Sequence, residues 1–116
     1  MSESDPCART IVWSGETYIL NLSHKWVRRV LGYRGINGRP PAAVLLGFET
    51  GAYTVDDVER ILELGLIGSG MDERDADKLL DQHVRGKPIA ANAVIAFEVL
   101  AALFVGKVQT NVDASA

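Results

Sequence analysis

Gly65, Gly68 and Gly70, in the stretch ERILELGLIGSG, are the residues of this chain whose spacing could cradle a phosphate. Such a loop turns successive backbone N–H groups toward an anion, and glycine is needed where a Cβ would block the approach. The dinucleotide-binding fingerprint, however, is G-x-G-x-x-G after a strand; here G-x-x-G-x-G follows a helical run, and no Gly-Lys-Ser/Thr closes it as a P-loop requires. The next turn brings Asp72, Glu73 and Asp75. One carboxylate about 8 Å from a phosphate opposes it by roughly 2 kcal/mol at an effective dielectric near 20. The three glycines are therefore expected to turn the chain. Gly65 should stop one helix, with Gly65 or Gly68 in the left-handed region that a Cβ disfavours.

The other chemistry-bearing residues resolve in the same direction. Asp72, Glu73, Asp75 and Asp77 resemble a calcium loop only in charge. Counting from Asp72, the sixth residue is Asp77 where glycine is required, and the twelfth is His83 where glutamate is required. They read as the acidic first turn of a helix, which the helix dipole favours. The chain's two histidines, His24 and His83, and its single cysteine, Cys7, are too few and too scattered for a zinc site. Ser23 and His24 are sequence neighbours, which is not a nucleophile–base arrangement; Ser23 reads as a helix N-cap. Lys25, Arg28 and Arg29 make a basic helix face. The whole chain carries a net charge of −3, against the basic excess of a general nucleic-acid binder. No catalytic residue, cofactor site or metal site is expected, and the chain reads as a non-enzyme.

These residues sit on elements that the apolar pattern predicts. At 116 residues the chain is one domain. Residues 9–22 read as a β-hairpin around Ser14-Gly15, with Tyr18, Leu20 and Leu22 on the face turned to helices. A first helix, HKWVRRVLGY, has an apolar stripe of Trp26, Val27, Val30 and Leu31. A second starts at Pro40-Pro41 and fades at Gly51. Thr54 opens a third, with Asp57 completing a capping box. Asp72 caps a fourth, with Ala76, Leu79, Leu80, His83 and Val84 at helical spacing. Pro88 starts the fifth, which ends at Gly106. The fold class is thus α+β, mainly α: an N-terminal hairpin packed on a bundle of about five short helices. Residues 1–8 and 107–116 read as disordered tails around a single domain, 9–106. The acidic N-terminus is not a secretion signal, and the lone cysteine fits a reducing compartment.

The fifth helix is the most apolar. Its stretch, residues 89–105, is short for a membrane span and carries Asn92 and Glu98. A bulky face of Ile89, Ala93, Phe97, Leu100, Leu103 and Phe104 is expected in the core. Ala91, Ile95, Glu98 and Ala102 form a smaller face suited to close approach by a partner helix. A helix apolar on nearly all sides is either central or partnered.

The order of these features resembles the small tail protein family of gene transfer agents and related tailed phages, described as tail tube proteins or tail assembly chaperones. The likeness covers residues 9–106 and is strongest from Tyr53 to Gly106. There Asp57-Val58 and Gly65-Leu66-Ile67-Gly68-Ser69-Gly70 are similar to the family's D-V … G-L-I-G-G-G, Ser69 standing for its middle glycine. Pro88-Ile89 and the final Ala-Ala-x-x-x-Gly also match. Trp26 and Arg28-Arg29 depart from the leucine and glutamate usual in the first helix. The resemblance implies a non-enzymatic protein of tail morphogenesis in the host cytoplasm. It would be a chaperone of the helical, apolar tape measure protein, or else a component kept in the particle, with a homo-oligomer as a further expected partner state. It implies no nucleic acid and no membrane as partner; a small DNA-binding regulator is the third class.

Overall fold

The computed structural model describes residues 6–106. Most of the two expected tails, 1–5 and 107–116, lies outside the described residues. Ala8 already belongs to the first strand. The elements are β1 (Ala8–Trp13), β2 (Glu16–Asn21), α1 (Lys25–Arg34), α2 (Pro41–Thr50), α3 (Val55–Gly68), α4 (Glu73–His83) and α5 (Ala90–Val105). The expected architecture of an N-terminal antiparallel hairpin followed by five helices is the observed one.

β1 and β2 pair from Ala8 opposite Asn21 to Trp13 opposite Glu16. Ser14 and Gly15 both take positive φ, 51° and 82°. A two-residue loop of that kind matches the right-handed twist of the strands it joins. Ile11, Trp13, Leu20 and the following Leu22 are buried, because a two-stranded ribbon is stable only when one face rests on something apolar. That support is chiefly α3, which packs against β2.

Helix starts and stops mostly follow local chemistry. Thr54 accepts a hydrogen bond from the Asp57 N–H at 3.0 Å, and Asp57 accepts one from the Thr54 N–H at 3.1 Å. Asp72 caps α4 by accepting from the Arg74 N–H at 3.1 Å. Pro41 begins α2 and Gly51 ends it in the left-handed region. Ser23 does not cap α1. Its N–H and hydroxyl both donate to Asn21 Oδ1, at 2.8 and 2.6 Å. His24 caps in its place, Nδ1 accepting from the Trp26 N–H at 3.1 Å. The side chain of Asn21 thus recruits Ser23 to the bend between β2 and α1.

The glycine run differs from expectation in a way that organises the fold. α3 passes through Gly65 and ends at Gly68, and neither residue has positive φ; of the three glycines only Gly70 does, at 111°. Gly65 and Gly68 instead form a notch. A Cβ on Gly65 would lie 2.9 Å from the Cβ of Leu20, and one on Gly68 would overlap the backbone carbonyl oxygen of Asn21. The missing side chains let β2 lie directly on α3. Ser69 then closes the helix, its hydroxyl donating to the Leu66 carbonyl at 2.9 Å.

α3 is consequently the centre of the molecule. Val58, Ile61, Leu62, Leu64 and Leu66 are fully buried, and β2, α5, α4 and α1 all pack on it. α5 is more apolar yet lies to one side, and its buried residues, mostly small, coincide with neither of the two expected faces. Asn92, Ala93, Ala96, Val99, Leu100 and Ala102 point inward, which allows α5 to approach α3 closely. Phe104, expected in the core, is 45% exposed, and Phe97 is only half-buried against Phe48. Trp26, assigned to the apolar stripe of α1, is 49% exposed, while Val27 and Leu31 are buried. The buried Asn92 donates to the His83 carbonyl at 3.0 Å, tying the start of α5 to the end of α4.

Candidate functional site

Several titratable side chains are used structurally. Asp77 and Asp81 accept hydrogen bonds from Arg85 at 2.8 and 2.9 Å, and Glu59 on α3 accepts from it at 3.4 Å. The bonds to Asp81 and Asp77 hold the Arg85 guanidinium further above its ordinary range, so it stays charged. His83 stacks on Trp13 with ring centroids 5.0 Å apart. Among the described residues no group of three or more His, Cys, Asp or Glu is placed to hold a metal ion.

Asp57 carries a role that the capping motif did not reveal. It is 1% exposed and, besides its capping bonds, accepts from Arg39 at 2.8 Å and Asn37 at 3.4 Å. It therefore ties the loop between α1 and α2 to the start of α3. The signal in the sequence is weak, since nothing local pairs residues 39 and 57. Asp57→Ala is expected to lower stability by about 2 kcal/mol, of which the cap accounts for about 1. The pair with a partly exposed arginine adds no more than about 1. Asp57→Asn should lose less, because its amide oxygen still caps. Chemical denaturation of the three proteins checks this.

The face of α5 expected to meet a partner is divided by the fold. Ala91 is exposed and Ile95 half-buried. Glu98 is bound to Arg9 of β1, Nη2 to Oε1 at 2.6 Å, and Ala102 is 3% exposed. The hairpin thus occupies the neighbourhood of Glu98. The outward line of α5 is instead Ala90, Val94, Phe97, Ala101 and Phe104, at successive steps of four, three, four and three residues. That is the heptad seam by which one helix receives another. Beside its first half lies a hollow of about 310 Å³, walled by Phe48, Tyr53, Ala90, Ala93, Val94 and Phe97. Phe48 and Tyr53 stack there with centroids 4.8 Å apart. Sequence reasoning missed this line because apolar residues surround α5, so the heptad spacing does not stand out until one side is covered.

No helix among the described residues is long and apolar enough to cross a membrane. No curated protein and no solved structure matches the chain. The family described as "Phage tail tube protein, GTA-gp10" matches residues 7–106, a span that takes in the hairpin, the glycine notch and all five helices. The chain therefore belongs to this gene-transfer-agent and phage tail family, and is a tail-related protein.

Proposed function

We propose that the protein is a non-enzymatic tail assembly chaperone, working in the cytoplasm of the bacterial host. It holds an apolar helical segment of the tape measure protein on the outward line of α5 before the tail tube forms. The observation that supports this reading most is the outward line of Ala90, Val94, Phe97, Ala101 and Phe104, of which Ala90, Val94 and Phe104 are exposed and Phe97 and Ala101 half-buried, beside the Phe48–Tyr53 hollow. An amphipathic helix laid in such a groove is held by anchors at heptad spacing. Each aromatic anchor contributes about 25 cal/mol per Å² of apolar surface it buries.

Co-expression with the tape measure protein followed by pull-down tests the reading. The wild-type chain should capture it, and Val94→Arg with Ala101→Arg should lose capture. Val94 is exposed and Ala101 borders solvent, so the double variant should stay within about 1 kcal/mol of wild-type stability by melt. A variant that captures as well as wild type would move the partner surface off α5. As a non-enzyme the protein should also give no saturable heat with ATP, GTP or NAD in calorimetry; tight binding of any of them would revive the phosphate loop.

The family description itself favours a second reading, a tube component that stays in the particle. Protein analysis of purified particles separates the two. Stoichiometric amounts in the tail support the component, and absence from particles together with capture in cells supports the chaperone.

A further inference from the structure

Asn37 and Gly38, between α1 and α2, form a turn closed by a mutual pair of hydrogen bonds. The Ile36 N–H donates to the Arg39 carbonyl at 2.8 Å, and the Arg39 N–H donates to the Ile36 carbonyl at 3.1 Å. Both central residues take positive φ, 54° and 86°, as in the two-residue turn that favours Asn-Gly. Asn37 and Gly38 are exposed, while Ile36 beside them is fully buried. The Asn37 amide donates to Asp57 Oδ1 at 3.4 Å, beyond the usual range of such bonds. That carboxylate is 1% exposed and takes its shorter bond from Arg39, at 2.8 Å.

An asparagine side chain is open to attack by the nitrogen of the peptide that follows it, which closes a five-membered ring on Cγ. A Cβ on the next residue hinders that approach, and glycine has none. Among the described residues the other asparagines are Asn21, before Leu22, and Asn92, before Ala93. Both of those followers are buried, and the Asn92 amide is held on the His83 carbonyl at 3.0 Å. Asn37 alone of the three combines a following glycine, exposure and a long amide bond. The fold also restrains the reaction. The attacking Gly38 N–H donates to the Arg34 carbonyl at 3.2 Å, so ring closure waits on local opening of the loop.

We propose that the Asn37–Gly38 turn is a self-modification site, whose reaction unlocks the α1–α2 loop from α3. The Gly38 nitrogen bonds to Asn37 Cγ, the Cγ–Nδ2 bond breaks, and the Gly38 N–H proton leaves with the amide as ammonia. One water then opens the succinimide. Addition at the former side-chain carbonyl gives aspartate; addition at the main-chain carbonyl gives isoaspartate, with the chain running through the side chain. Either product replaces an amide donor by a carboxylate facing the buried Asp57, and like charges at that range repel. Two carboxylates then compete for Arg39. Isoaspartate also lengthens the turn by one backbone atom, which breaks the Ile36–Arg39 pairing. The reaction belongs to this loop and is independent of what α5 binds.

Incubation of the folded chain in neutral water enriched in heavy oxygen, followed by peptide mapping, tests it. The incubation runs for many times the period in which the urea-unfolded chain converts. Residue 37 should change from amide to acid and carry one heavy oxygen, isoaspartate being the larger product, while Asn21 and Asn92 keep their amides. The converted chain, separated by its extra negative charge, should melt roughly 5 °C below the fresh one. Asn37→Gly accepts the positive φ and has no amide to lose, so it should melt alike before and after incubation. Asn37→Asp, the product without rearrangement, should melt below Asn37→Gly. Arg39→Ala loosens the loop and should convert about fivefold faster, the change in open population that one partly exposed ion pair supports. An Asn37 that keeps its amide in the folded chain overturns the proposal, as does equal labelling of Asn21 or Asn92. So does a converted chain that melts like the fresh one, or an Arg39→Ala chain that reacts at the wild-type rate.

Discussion

Gly68→Val is expected to destabilise the protein by about 3 kcal/mol or more, the upper end of what overpacking costs. The new Cβ would fall on the carbonyl oxygen of Asn21, which is backbone and cannot rotate away. Either β2 lifts from α3 or α3 unwinds its last turn, and both expose Leu20 and Leu22, which are fully buried. For a domain of this size the melting temperature should fall by roughly 10 °C or more. Gly68→Ala should also destabilise, since its Cβ meets the same atom, although alanine is the better helix former by about 1 kcal/mol. Gly32 in α1 is the control. A Cβ there meets nothing within 4 Å, so Gly32→Ala should gain about 0.5–1 kcal/mol from propensity. Thermal melts of the three variants decide: if Gly68→Ala is stabilised as much as Gly32→Ala, the notch between β2 and α3 is wrong.

Leu100→Ala should cost about 2–5 kcal/mol, the range for emptying a fully buried leucine site. Leu100 is completely covered within the core cluster. Ala102→Arg is expected to match that loss, because the face it occupies is closed and a guanidinium has no room or partner there. Phe104→Ala should cost under about 1.5 kcal/mol despite the larger side chain removed, since nearly half of it already faces water. Urea denaturation ranks the three. A folded, stable Ala102→Arg protein would reopen that face as a docking surface, and a Phe104→Ala loss equal to that of Leu100→Ala would place Phe104 in the core.

How far these outcomes could be read from the residues alone depends on the range of the interaction. Ser14-Gly15, Thr54 with Asp57, Pro41 with Gly51, and Asp72 act over two to ten positions, and each turn or cap lies where those residues place it. Steric and hydrogen-bonding preferences at that range do not need the rest of the chain. The hairpin, the five helices and the family resemblance were legible for this reason.

Tertiary structure decided which apolar surface faces inward. Gly65 and Gly68 have the composition of a helix stop, and they became a helix-interior notch because β2, more than forty residues earlier, lies on them. Arg39 found Asp57 across the loop, and Arg9 found Glu98 across the length of the chain. α5 is apolar on nearly every side, so its own residues gave little preference between burying Phe97 and Phe104 or burying Ala93, Ala96 and Val99. Close packing settled it: α3 already filled the centre with leucine and isoleucine, and a neighbour with small side chains fits against those with least void. The aromatic edge was left outside, where the outward line of α5 begins.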